Sequence, residues 1–338
     1  MKHVTIRDIA RELKFSIATV SRALNDDTNI RPETKQQILD TAKRLGYRKN
    51  PVAINLQSGR TRTIGVIVPE MMTPFAAKVI DGIQNVCYSR DYKVIITSSS
   101  EDPEIEKRNI GIMRQFMVDG VIACRCDNRF NTEAYQEIVD NGTPLVFYDR
   151  VSTSIEVPQV VVDDETKAFF LIEHLIRQGR KHIAYIGVDE KIVYNSYLRN
   201  RGYREALQRY GLEDACKDLV FKADGMRFSD GATVVDKMLD KGIDAIFAFT
   251  DTLAIGAMNR LISLNIKVPG EVAVAGYSGT ELSTIVSPQL TTVEPHQYMM
   301  GQKAAELIFD TLNGLAPENR KYVIDAEIVY RKSTITNI

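Results

Sequence analysis

Apolar positions recur along this 338-residue chain in two different rhythms, and the change from one to the other separates a small head from a large body. In the head, Ile9, Ala10 and Leu13 share one face at helical spacing, and Thr5 with Asp8 three residues on forms a capping-box pattern ahead of them. Lys14-Phe15-Ser16 breaks the period. Ser16 can cap a second short helix whose buried side carries Val20 and Leu24. Pro32 opens a third helix, with Ile38, Leu39, Ala42 and Leu45 inward and Gly46 at its carboxyl-terminal stop. Three short helices with a three-residue turn between the first two describe an all-α helix-turn-helix unit, although a plain three-helix cap has the same pattern.

From Thr63 the rhythm becomes short β-branched runs alternating with amphipathic stretches. Ile64–Val68, Val94–Thr97, Val121–Ala123 and Leu145–Tyr148 read as buried strands, with helices over Phe75–Ser89, Ile105–Met117 and Glu133–Asn141. A second block follows, with strands at Ile183–Ile186, Ala245–Ala248 and Val272–Ala275. Its helices fall over Lys167–Gln178, Arg201–Tyr210, Phe228–Lys241 and Leu253–Leu264. Two such blocks predict an α/β body of two parallel-sheet subdomains rather than one long sheet. Between head and body, Asn50-Pro51 starts a brief helix through Val52, Ala53 and Leu56, and the polar run Gln57–Arg62 follows. A helix this short is unstable alone and should form only when something buries it.

Charge sharpens the division. Residues 1–60 hold twelve Lys/Arg against six Asp/Glu, whereas the remainder is acidic by seven, so the near-neutral total conceals a basic head on an acidic body. That distribution suits a head that meets phosphates and a body that nucleic acid repels. Four scattered cysteines form no disulfide framework, Cys124-x-Cys126 is too closely spaced for a metal knuckle, and four histidines make a metal site improbable. No apolar run reaches membrane-spanning length and the amino terminus lacks an apolar signal core, so the expected location is cytoplasmic, with reduced thiols and no membrane partner. An enzyme of dinucleotide-binding type would need Gly-x-Gly-x-x-Gly after the first strand, where the chain reads Gly65-Val66-Ile67-Val68-Pro69-Glu70. A phosphate-binding loop and a nucleophile elbow are also missing, so neither an enzyme nor a cofactor is expected. A binding protein for transport would share the body but not the basic head.

The motifs themselves carry a resemblance. Residues 4–25, including Thr19-Val20-Ser21-Arg22-Ala23-Leu24-Asn25, together with Leu45-Gly46-Tyr47-Arg48 and Thr63–Pro69, resemble the lactose/galactose-repressor family of bacterial transcription factors. Val118–Ile122, Gly276-Tyr277 and Pro288–Val293 continue the likeness in order over essentially the whole chain. It implies a headpiece over 1–48, a hinge helix and linker over 49–62, and a periplasmic-binding-protein type I effector and dimerisation domain over 63–338. The amino-terminal lobe would take about 63–162 and 292–325, and the carboxyl-terminal lobe about 163–291 and 326–338. Crossovers are placed near Val162–Asp163, Leu290–Val293 and Asp325–Glu327. The implied function is a transcriptional regulator, by expectation a repressor of carbohydrate-utilisation genes, that binds a near-palindromic double-stranded operator as a homodimer or higher oligomer under control of a small-molecule effector. Ile17 and Ala18 would meet thymine methyls and Arg22 a guanine, with Thr5, Ser16, Thr19, Ser21 and Asn25 mostly on phosphates. Asn50, Ala53 and Leu56 would complete the DNA-binding set, Leu56 as a minor-groove wedge or else a linker leucine packing on the body. The chain departs from the family pattern at Lys14, where glycine is usual, and at Lys49 and Ile54 in the hinge.

Ligands of parallel sheets sit at the carboxyl ends of strands, which nominates Thr73, Phe75, Cys124, Tyr148, Asp149, Thr250, Asp251 and Ser278. Phe75 fits helix packing as well as ligand stacking, a role open to Phe228 also, and Asp251 fits a helix cap as well as a ligand contact. The resemblance adds Arg199, an effector-binding arginine in this family, whose bland alternative is a surface ion pair. Where the family commonly has paired aspartates after Gly276-Tyr277, this chain has Ser278-Gly279, which points to a less hydroxyl-rich, larger or acidic ligand.

Overall fold

The computed structural model describes residues 4–47, 59–315 and 320–335, and the chain divides into two compact units, Met1–Thr61 and Arg62–Ile338. The hinge positions Asn50, Ala53 and Leu56 lie outside the described residues.

The first unit is built on helices α1 (Ile6–Leu13), α2 (Ile17–Leu24) and α3 (Pro32–Leu45). Ile9, Ala10, Val20, Ala23, Ile38 and Ala42 form its buried core, with Leu13, Phe15, Leu24 and Leu45 packed around them. Leu39, expected inward, is 40% exposed, because it lies one residue past Ile38 and therefore about 100° round α3 from the buried face. Pro32 and Gly46 (φ 71°) mark the two ends of α3 as expected. At α1 the Asp8 carboxylate accepts from both the Thr5 N–H (2.9 Å) and the Thr5 hydroxyl (2.7 Å).

The second unit contains two six-stranded sheets of matching design. In the amino-terminal lobe, β1 (Thr63–Val68), β2 (Lys93–Ser98), β3 (Gly120–Ala123), β4 (Leu145–Tyr148), β5 (Gln159–Val162) and the late strand β11 (Lys321–Ile324) lie in the order β11-β5-β4-β3-β1-β2, all parallel. In the carboxyl-terminal lobe, β6 (Ile183–Gly187), β7 (Val220–Lys222), β8 (Ala245–Ala248), β9 (Ala273–Tyr277), β10 (Thr291–Glu294) and β12 (Glu327–Val329) lie in the order β12-β10-β9-β8-β6-β7, with only β12 antiparallel. Strand β1 shows why the runs are continuously apolar: Ile64, Val66 and Val68 face one core and Ile67 the other.

Helices α4 (Pro74–Tyr88), α5 (Pro103–Gln115) and α6 (Thr132–Asp140) cover the first sheet, and α7 (Asp164–Arg177), α8 (Tyr194–Arg209), α9 (Phe228–Asp236) and α10 (Asp251–Ser263) the second. The short α11 (Leu282–Ile285) precedes β10, and α12 (Gln297–Leu312) follows it and packs back on α4. The chain thus passes between lobes at Asp163, between Glu294 and Gln297, and between Ile324 and Glu327. The second passage lies a few residues later than the expected 290–293: Thr291–Val293 pair with β9 and Thr292–Glu294 with β12, so residues 292–294 belong to the carboxyl-terminal lobe. Helix α8 begins seven residues before the expected Arg201, and α9 stops at Asp236, with a 3-10 turn at Leu239–Lys241 beyond it.

Candidate functional site

Two regions carry the candidate residues, one in each unit. In the head, Lys14 closes α1 in the left-handed conformation (φ 57°, ψ 30°), so the turn that glycine commonly supplies is made here by lysine. Ser16 then caps α2, its hydroxyl accepting from the Thr19 N–H at 3.0 Å. Burial of Val20 and Ala23 turns the opposite side of α2 outward: Ile17 is 51% exposed, and Ala18, Arg22 and Asn25 are exposed with it. Among the described residues Arg22 makes no ion pair. Thr5 and Ser16 are likewise exposed, and Thr19 and Ser21 half-buried.

In the body, both sheets reverse strand order at their first strand, β1 lying between β2 and β3, and β6 between β7 and β8. The crevices at the carboxyl ends of these strands are where such sheets bind ligands. There a polar cluster joins the lobes. Asp149, just past β4 and held at φ 55°, accepts from Asn195 Nδ2 at 3.1 Å, and the same nitrogen donates to Asp164 Oδ2 at 3.0 Å. Two carboxylates facing one amide require its nitrogen there. Arg199, one helical turn beyond Asn195 on α8, donates from Nε to Asp164 Oδ1 (2.7 Å) and from Nη1 to the Phe249 carbonyl (2.6 Å). Its guanidinium lies over the Tyr277 ring at 3.6 Å and the Phe249 ring at 4.5 Å. Burial works against this guanidinium's charge, yet Asp164 beside it raises its pKa above the ordinary value. Burial pushes the Asp149 carboxyl above its usual range, against the pull of Arg150.

Other candidates have different placements. Arg150 is occupied by Glu101, which it grips through Nη1 at 2.8 and 3.1 Å, and its Nη2 reaches Met226 across the cleft. Cys124 and Tyr148 are enclosed in the core, the Cys124 thiol 3.8 Å from Asp149 Oδ2. Thr73 and Thr250 cap α4 and α10, accepting from Ala76 N–H and Leu253 N–H, and Phe75 is half-buried in the first turn of α4. Asp251, open between cap and ligand contact on sequence grounds, is not the cap, a place that Thr250 takes. It is fully buried, and its carboxylate accepts from the Thr280 N–H (2.7 Å), the Thr280 hydroxyl (3.0 Å) and the Thr292 hydroxyl. Ser278 is half-buried and contributes backbone, its carbonyl accepting from Gln297. Sequence reasoning missed Asp164 and Asn195. Asn195 stands four residues before Arg199 on one helix face, and Asp164 immediately follows the first crossover, so both had a readable spacing.

The profile described as "Bacterial regulatory proteins, lacI family" matches residues 5–50, and that of a periplasmic binding protein-like domain matches 172–334. Catabolite control protein A of Priestia megaterium is 32% identical over 98% of this chain and 99% of its own length. The chain belongs to the lacI family of bacterial regulatory proteins. Another lacI-family relative, the HTH-type transcriptional repressor CytR of Escherichia coli K12, is 30% identical over 98% of this chain and 96% of its own. Among solved structures, the complex of the transcriptional regulator CelR with cellobiose superposes with a TM-score of 0.73 at 26% identity, covering 98% of this chain and all of the other. As a lacI-family member the chain is a DNA-binding transcriptional regulator and not an enzyme, with a helix-turn-helix headpiece and a type I periplasmic-binding-protein body. Among the described residues no helix is long and apolar enough to cross a membrane.

Proposed function

We propose that this regulator represses carbohydrate-utilisation genes as a homodimer on a near-palindromic operator, and that a carbohydrate or carbohydrate derivative bound between the lobes sets its operator affinity. The single observation that carries the reading is the Asp149–Asn195–Asp164–Arg199 cluster, in which acceptors from both lobes converge on one buried amide. A ligand seated there touches both lobes and so binds one lobe arrangement better than another, which is the requirement for coupling. The cellobiose bound by CelR supports the ligand class, and the name of CytR supports repression. On the DNA side, the exposed Ile17, Ala18 and Arg22 provide the base-reading face, with Thr5, Ser16, Thr19, Ser21 and Asn25 for phosphates and Asn50, Ala53 and Leu56 for the minor groove. Two-fold pairing brings two such faces to one site. The test is selection of operators from genomic fragments, followed by titration of a sugar panel against the bound complex. A sugar that changes operator affinity by roughly 5–150-fold supports the reading. An Arg199→Ala and an Asp149→Ala chain that both respond like wild type remove the cleft from it.

A further inference from the structure

The charges around the cleft are already paired in a way that leaves carboxylate in excess. Asp149 and Asp164 both direct an oxygen at Asn195 Nδ2, and the guanidinium nearest them belongs to Arg199. That guanidinium is 6% exposed, and Asp164, the Phe249 carbonyl and the Tyr277 ring occupy Nε, Nη1 and one face. A forked grip on a ligand carboxylate or phosphate would have to break these contacts first. The second guanidinium, Arg150, gives Nη1 to both oxygens of Glu101, and its Nη2 meets only the Met226 sulfur. Asp149, Asp164 and Glu101 therefore face Arg150 and Arg199, an excess of one negative charge in a place where burial weakens solvent screening. Although residues 278–279 are Ser-Gly, Asp164 at the start of α7 brings a carboxylate to the cluster.

Resting on the reading of the cleft as the effector site, we propose that its ligand is a hydrogen-bond-donating molecule without negative charge, a neutral polyol or an amino sugar, and that phosphorylated and acidic sugars are rejected. Hydroxyl or ammonium groups meet Asp149 and Asp164 with the polarity of the Asn195 amide that now bridges them. An added anion instead stands among like charges, beside two guanidinium groups that Glu101 and Asp164 already neutralise. This reverses the acidic preference that residues 278–279 suggest by themselves.

The experiment is calorimetric titration of the full chain, at fixed ionic strength, with matched compounds: glucose and glucose 6-phosphate, ribose and ribose 5-phosphate, glucosamine and glucuronate. At least one neutral or amino compound is expected to bind, with its anionic counterpart at least about ten-fold weaker, and Asp149→Asn is expected to narrow that gap. Tighter binding of an anionic counterpart, lost in Arg199→Ala, overturns the charge assignment while leaving the cleft as the effector site. Binding unchanged in both Arg199→Ala and Asp149→Asn places the ligand elsewhere and overturns the cleft reading itself. Absence of binding by every neutral and amino compound overturns the proposal as well.

Discussion

Asp251 holds its carboxylate in full burial, and desolvation raises its pKa to about 6 even though three donors from Thr280 and Thr292 pull it down. The folded pKa lies above the ordinary 3.8, so between these values the folded chain keeps a proton that the unfolded chain releases. Stability from this group is complete below about pH 4 and is lost as pH rises through about 6. Urea melts of wild type and Asp251→Asn at several pH values should therefore diverge: between pH 7 and 5 wild type gains about 1 kcal/mol relative to the variant. An equal pH profile in the two chains would count against this assignment. Arg22 stands at the other functional extreme, exposed on α2 and free of ion pairs among the described residues. Its replacement in Arg22→Ala should weaken operator binding by about 1–3 kcal/mol and relax preference at one base pair, as measured by binding to a set of singly substituted operators.

At the scale of elements, backbone geometry yields two further outcomes. Lys14 pays the steric cost of a left-handed backbone between α1 and α2, so Lys14→Gly should stabilise the head by about 0.5–1 kcal/mol, read as a higher melting temperature of that unit's transition. Helices α4 and α12 cross so closely that a Cβ on Gly82 would fall on the Tyr298 carbonyl and one on Gly301 on the Val79 carbonyl. Since both obstacles are backbone, Gly301→Ala should cost about 1–3 kcal/mol or more in denaturant melts. The pattern of apolar residues disclosed the head helices, seven of the strands and most of the helices of the body, because the helices carry a clear period and the strands are continuous apolar runs. Strands β7, β11 and β12 were not legible, since each has three or four residues, half or more of them exposed or half-buried, and β5 and β10 were missed although three of the four residues in each are buried. Helix α12 was hidden because it is buried on more than one side, with Met300, Ala304, Ala305, Leu307, Ile308 and Phe309 all inside. The cleft was legible at Asp149 and Arg199, whereas Asp164 and Asn195 gain their meaning from each other, through a contact 31 residues apart in sequence.

For the whole molecule, the two lobes are interwoven late in the chain. Helix α12 and strand β11 complete the amino-terminal lobe, and β12 completes the other, all within residues 297–329. A chain stopped after residue 315 lacks an edge strand in each sheet, so its melt should lose the cooperativity of the full chain in both lobes at once, checked by circular dichroism and calorimetry. The same interweaving has a consequence during synthesis. At about 5–20 residues per second, most of the amino-terminal lobe leaves the ribosome well before α12 does, with the face of α4 that α12 will cover still bare. The headpiece, whose core uses only residues from the first 47, needs no such wait. A nascent chain therefore has its headpiece helices ready while its body is still unfinished and, for those seconds, depends on whatever shields Val79, Ile83 and their neighbours from aggregation.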